Sequence, residues 1–342
     1  METIFEKRYC KELKYIGRYE TDGLLSYNIQ REWALQREKI KYNVEIMTVM
    51  NRKSIIITMS APVLLSKVHE LLCKILRYEC LFDGRFFKMQ KYEIDNLDIT
   101  AEMRKSMLSY YEGEKAYTKF SQPMNDTIYK RGFCAWERFN KKLLSMNQMF
   151  YYIGFGNGMT ADLRLALFAE IFEPLSEHLE YLQKVQINCS QQSRQRNARC
   201  PKCDFEFKIP TQNRPSLRDK IESVVRAYGL RIFDGDDVLK ILKKTVNTRN
   251  KMLHVKIKKD ILTGGQCGFY IRKYVELYRI AILSELKLWN SDMGNDLMNT
   301  IERYNSEFPK LRIKQKRNKK VDMHHIYFLC PHQCCRSHCS TK

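Results

Sequence analysis

The chain has 342 residues, 44% of them hydrophobic and 29% charged, which suits a globular protein with room for two cored domains or one large one. No apolar run approaches the ~18 residues a membrane span requires, and residues 1–8 interleave charge with apolar side chains where a signal peptide would carry an apolar core. A cytoplasmic location without membrane contact is therefore expected. Sixty Lys and Arg against 39 Asp and Glu leave +21, an excess that favours polyanions, with nucleic acid first among them. An anionic membrane surface fits less well, because no segment joins a long basic helix face to a Trp/Phe/Leu face.

The predicted fold class is α+β: a mixed strand/helix N-terminal domain over 1–150, followed by an all-α helical bundle. Residues 44–50 and 54–59 are β-prone runs separated by Asn51-Arg52-Lys53, a hairpin pattern. Leu64, Val68, Leu71, Leu72 and Ile75 repeat at helical spacing and predict a helix over about 62–78. Gly84 ends it, and residues 86–94 read as a further strand. Residues 104–150 are ambiguous, rich in aromatics, with Trp136 on a helix; this half carries no recognisable chemistry. Gly154, Gly156 and Gly158 mark a loop, lacking the Gly-Lys-Ser/Thr that a P-loop requires.

Beyond this loop the periodicity turns helical. Leu163, Leu167, Ile171, Leu175, Leu179 and Leu182 step by three or four, with Pro174 expected to kink their helix. Glu170, Glu173, Glu177 and His178 on that helix are expected on an exposed charged face. Ser216 and Asp219 have capping-box spacing and open a helix through Leu217, Ile221, Val224, Val225 and Tyr228, with Gly229 as its stop. Asp236 and Asp237 open the next helix, whose apolar stripe is Val238, Leu242, Thr245 and Val246. Gly264, Gly265 and Gly268 predict a turn, and a last wide-striped helix is expected over about 268–288. Together these make a bundle over 155–290 with a polar, cysteine-bearing insert at 188–214. Residues 291–342 read as a basic, Cys/His-rich tail. Seven basic side chains in the eleven residues 310–320 suggest a solvated arm. No internal repeat is visible.

The chemistry-bearing run is Thr248-Arg249-Asn250-Lys251-Met252-Leu253-His254, at the end of the Val238 helix. A guanidinium binds phosphate bidentately and an imidazole moves protons near neutral pH. Asn250 and His254, four residues apart, share a helix face, with Arg249 beside them. The competing reading of His254 is a solvated capping residue near Lys251, Lys256, Lys258 and Lys259.

The motif at the end of this helix, with the glycines and long amphipathic helix after it, resembles the HEPN superfamily, and more narrowly the HEPN domains of ApeA-like anti-phage proteins. Their R-x4-6-H pattern, with a polar residue after the arginine, is met by Arg249, Asn250 and His254. The cysteine insert and tail depart from that pattern. The resemblance implies a metal-independent endoribonuclease, often toxic and held in check until infection, so a phage-derived trigger or an antitoxin is an expected partner beside RNA. RNA supplies its own nucleophile, the 2′-hydroxyl, so such an enzyme need only move two protons and stabilise charge. One histidine serves both transfers poorly, and pairing two copies would place two His254 and two Arg249 in one cleft; a homodimer is expected. Lys251, Lys256, Arg194, Arg196 and Arg199 are candidate RNA-backbone contacts.

Of the 12 cysteines, Cys10, Cys73, Cys80, Cys134, Cys189 and Cys267 are scattered and read as thiols. Cys200 and Cys203 form a Cys-Pro-Lys-Cys turn suited to structural zinc, with further ligands to come from Cys189 or from the tail's Cys330, His332, Cys334, Cys335, His338 and Cys339. No cofactor is expected for catalysis. Two alternatives stay open: an RNA- or nucleotide-binding HEPN module without turnover, and a zinc-stabilised nucleic-acid-binding regulator.

Overall fold

Alternating burial along four long strands builds the first half of the chain. The computed structural model describes residues 8–18, 25–35, 38–49, 52–106, 116–123, 125–156, 158–179, 195–199, 206–210, 215–255, 257 and 259–315. Strands β1 (Tyr9–Arg18), β2 (Leu25–Leu35), β3 (Glu38–Val49), β4 (Arg52–Leu64), β5 (Lys88–Ile94) and β6 (Leu97–Asp98) form one antiparallel sheet in the order β2-β3-β4-β1-β5-β6. Register places Ile57 between Leu13 and Val44, and Ile55 between Tyr15 and Ile46. All six are fully buried, on one face of the sheet.

Helix α1 (Leu65–Asp83) lies against that sheet, burying Val68, Leu71, Leu72 and Ile75. Four of the five predicted stripe residues lie on it; Leu64, the fifth, ends β4, so the helix starts at Leu65 and runs one turn further than expected, to Gly84. There φ is +65°, and a side chain would meet backbone atoms of Tyr117 and Thr118, so glycine is required. Lys53, expected in a hairpin turn, is instead buried on β4 between Glu79 and Asp83 of α1. Burial opposes its charge, but the two carboxylates prevail and hold the amine above its ordinary range.

The ambiguous stretch resolves into α2 (Thr100–Ser106), α3 (Asp126–Lys142) and α4 (Leu144–Phe155). Trp136 of α3 is fully buried and its indole N–H reaches the Lys74 carbonyl at 3.4 Å. Gly154, expected in the loop, lies buried inside α4; the helix ends at its C-cap Gly156, where the expected loop begins.

The second half comprises α5 (Ala161–His178), a hairpin of β7 (Gln195–Arg199) and β8 (Glu206–Pro210), α6 (Leu217–Val224) running into a π turn (Val225–Gly229), α7 (Val238–His254), α8 (Gly264–Glu285) and α9 (Ser291–Glu307). The α+β class holds, with a small hairpin added to the helical part. Ser216 and Asp219 close the predicted capping box. The glycine turn does not form. Thr263 and Gln266 make a second capping box, which draws Gly264, Gly265 and Gly268 into the first turns of α8. A further difference is α9, whose Met293, Leu297 and Ile301 are buried. The start of the basic run is also packed rather than solvated. Arg312 bonds Asp236 at 2.8 Å, Ile313 is buried, and Lys314 bridges to Asp236 by its backbone. Residues 316–320 lie outside the described residues.

The two halves share one core. A single cluster of buried side chains runs from Cys10 to Ile313. Its axis is α8, where Lys273, Glu276 and Arg279 are fully buried one turn apart, each with a partner on another segment.

Candidate active site at the end of helix α7

Helix α7 is fixed at both ends. At its start the Asp237 carboxylate accepts the Lys240 N–H at 3.1 Å. Towards its end the Thr248 hydroxyl accepts the Leu262 N–H at 3.1 Å, Asn247 donates to the Asp260 carbonyl at 2.9 Å, and Lys244 donates to the Ile261 carbonyl at 3.1 Å. These bonds hold the α7–α8 connection against the helix. From α8, the Tyr274 hydroxyl meets the Thr245 hydroxyl at 3.0 Å, one turn before Arg249. Burial raises the Tyr274 phenol, so it stays neutral.

The last turn gathers the three motif side chains. Arg249 donates through Nη1 to Asn250 Oδ1 at 2.9 Å and to His254 Nε2 at 2.6 Å. A guanidinium only donates, so the imidazole accepts at Nε2 and carries its proton on Nδ1. The Arg249 Nε is bonded to Glu170 of α5. Arg249 is 19% exposed and Glu170 26%, so the guanidinium is anchored yet open to a ligand; His254 is exposed.

Glu170 therefore leaves the exposed face assigned to it from sequence. The signal was its place three residues after Leu167 and beside Ile171, at the edge of the apolar stripe. Pro174 has no N–H to give the Glu170 carbonyl, so α5 lacks one rung at this residue. Its neighbours have other partners: Glu173 and Glu177 clasp Lys220 of α6 at 2.6 and 2.7 Å, and His178 donates to the Pro174 carbonyl at 2.9 Å. Burial works against the Lys220 charge, but its bonds to both carboxylates hold the amine above the ordinary range. At the start of α5, the Asp162 carboxyl is held low by the Thr160 hydroxyl and the Leu163 N–H, with a smaller pull from Lys251.

Val255, the C-cap, sits at φ 51°, ψ 32°, the left-handed region that a β-branched residue avoids. It is 87% exposed, and Ile257 is 95% exposed. Because Val255 touches little, Val255→Gly should relieve the strain and raise stability by about 1 kcal/mol. A urea midpoint below the wild-type value would contradict that strain.

Of the other candidate residues, Lys251 is exposed on the motif turn. Arg196 and Arg199 lie on β7, whose side chains are not described, and Arg194, Lys256, Cys200 and Cys203 lie outside the described residues. Strands β7 and β8 pair with Arg199 opposite Glu206, flanking in sequence the segment that carries both cysteines. Among the described residues no cluster of His, Cys, Asp and Glu is arranged to hold a metal. Cys10, Cys73, Cys80, Cys134 and Cys267 are free thiols, as read from their scatter. No helix among the described residues is long and apolar enough to cross a membrane.

Helices α6 to α8, with Arg249, Asn250 and His254 closing the middle one, lie within one stretch that a known family matches. Residues 179–292, about a third of the chain, match the family Apea-like HEPN. No curated protein and no solved structure matches it.

Proposed function

We propose that the protein is a metal-independent endoribonuclease in which the RNA 2′-hydroxyl attacks its own phosphate. The observation that supports this reading best is the Arg249 guanidinium set between Asn250 and His254. In this role Arg249 clamps the phosphate and stabilises its developing charge, His254 transfers a proton, and Asn250 holds the guanidinium in place. Lys251 extends the positive surface along the same turn, with Lys256, Arg194, Arg196 and Arg199 as further backbone contacts. The mixed N-terminal domain acts as the sensor in a defence role, answering a phage-derived trigger or released from an antitoxin. Cys200 and Cys203 hold a structural zinc, which metal analysis of the purified protein checks as bound zinc lost on Cys200→Ser.

The active form is a homodimer whose contact includes Ile257, an apolar side chain set in water beside the motif. Light scattering should give twice the chain mass for wild type and a monomer for Ile257→Glu; a monomeric wild type at micromolar concentration would refute the pairing. Cleavage itself is tested with end-labelled RNA in EDTA. Undiminished cleavage is expected, and loss on chelation would point to the zinc-dependent regulator instead. One observation favours the second reading, an RNA-binding module without turnover: Glu170 already occupies the Arg249 Nε. RNA bound but uncut by both wild type and Arg249→Ala would support it.

A further inference from the structure

The geometry points to Glu170 as the general base of the ribonuclease site, taking the proton from the RNA 2′-hydroxyl while His254 of the same protomer serves as the acid. This rests on the ribonuclease reading given above. Glu170 lies on α5, outside the residues that match the family.

Three observations converge on it. Glu170 is the carboxylate bonded to the motif. The other acids nearby are engaged elsewhere: Asp162 with Leu163 at 3.0 Å, Glu173 and Glu177 with Lys220, Asp260 with Lys243 and Lys244 at 3.1 and 3.2 Å. Second, only Oε1 of Glu170 is bonded, to the Arg249 Nε; among the described residues Oε2 has no partner, and the side chain is 26% exposed. A carboxylate anchored by one oxygen keeps the other as an oriented proton acceptor. Third, His254 Nε2 already accepts from Arg249 Nη1, so that lone pair is not available to a hydroxyl. One guanidinium thus has the carboxylate on its Nε and the imidazole on its Nη1, a base and an acid on either side of a phosphate-binding group.

The reaction balances as follows. The 2′-O–H bond breaks and its proton passes to Glu170 Oε2. The freed oxygen pair forms the bond to phosphorus. The bond from phosphorus to the 5′-oxygen breaks, and that oxygen takes the proton that His254 carries on Nδ1, while the Arg249 bond to Nε2 offsets the charge left on the ring. The products are a 2′,3′-cyclic phosphate and a 5′-hydroxyl. Glu170 then returns its proton to solvent, and His254 regains one. Both proton-transfer groups belong to one chain, so the second copy of the dimer serves to grip RNA rather than to complete the acid–base pair.

The groups facing Glu170 limit what else could titrate there. They are Arg249 and, through it, His254 from α7, while Lys220 from α6 is bound to Glu173 and Glu177 one and two turns along α5.

The test is the pH dependence of single-turnover cleavage by wild type, Glu170→Gln and Glu170→Asp. Wild type should give a bell, rising on its acid side as a carboxylate ionises. Glu170→Gln, whose amide oxygen still accepts from Arg249, should lose about 100-fold in rate. It should also lose the acid limb, while RNA affinity and melting temperature stay at the wild-type values. Glu170→Asp should keep the limb at reduced rate. An acid limb that persists in Glu170→Gln, or an unchanged rate, would overturn the assignment while leaving the ribonuclease intact. Absence of cleavage by wild type would overturn the ribonuclease reading and this one with it.

Discussion

Arg249→Ala is expected to lower kcat for RNA cleavage by about 10³-fold, the scale seen when a preorganised donor to developing charge is removed. Arg249→Lys should not restore it. The guanidinium meets three groups at once: Glu170 through Nε, and Asn250 and His254 through Nη1. A lysine ammonium offers a point charge without that planar fork, so it can neutralise a phosphate but cannot hold the carboxylate and imidazole at fixed positions. The loss should fall mainly on kcat, with RNA affinity falling less, because Lys251 and the wider +21 surface also attract the backbone. Single-turnover kinetics with saturating enzyme separates the two. Cleavage by Arg249→Lys at the wild-type rate would mean that charge alone matters and that the three-way contact is incidental.

Arg279→Met should destabilise the whole protein by about 3–5 kcal/mol, the cost of breaking a buried charge pair from one side. Arg279 is fully buried on α8 and reaches back into the N-terminal half. Its Nε and Nη2 donate to the Leu81 carbonyl at 3.1 and 2.8 Å, and Nη2 also reaches the carbonyls of Phe82 at 3.1 Å and Thr118 at 2.7 Å. Leu81 and Phe82 belong to the last turn of α1, where carbonyls have no partner within the helix, so Arg279 acts as their cap. Its Nη1 pairs with Glu276 at 2.6 Å, and Glu276 in turn accepts the Thr118 N–H and hydroxyl, both at 2.7 Å. Methionine fills much of the volume but strands three carbonyls and a carboxylate. Glu276→Gln added to Arg279→Met should recover part of the loss, since no unpaired charge then remains. Because the network joins α1 to α8, urea unfolding should show one transition in wild type and variant alike. Two separate transitions would show that the sheet and the helical half are independent, against the shared core.

The parts legible from sequence were those set by local pattern. The stripe of α1, the Ser216–Asp219 capping box and the Asp237 start of α7 depend on residues within a turn of one another, and each is found where its spacing put it. The Arg249–His254 cluster belongs with them, since both residues sit on one helix end. What sequence concealed was fixed by tertiary partners or by a stronger local signal. In β1 a register shift between Cys10 and Glu12 interrupts the two-residue alternation that would reveal a strand. The Thr263–Gln266 box outweighs three glycines. In α9 the spacing of Met293, Leu297 and Ile301 was visible, yet the basic run after it drew the whole segment into a tail. Lys53, Lys273 and Arg279 meet Glu79, Asp83, Asp236 and Glu276 in the buried interior, and only Glu276 is near its partner in sequence. Glu170 lies between the two groups: its position at the stripe edge was legible, its partner 79 residues away was not.

The central claim is that this helix end cuts RNA, and it is tested most directly by incubating purified wild type and His254→Ala with end-labelled RNA in EDTA and identifying the new 3′ ends. Wild type should yield 2′,3′-cyclic phosphate termini, and His254→Ala, equally folded by circular dichroism, should yield none. Equal cleavage by both proteins, or new ends bearing a free 3′-hydroxyl, would contradict it.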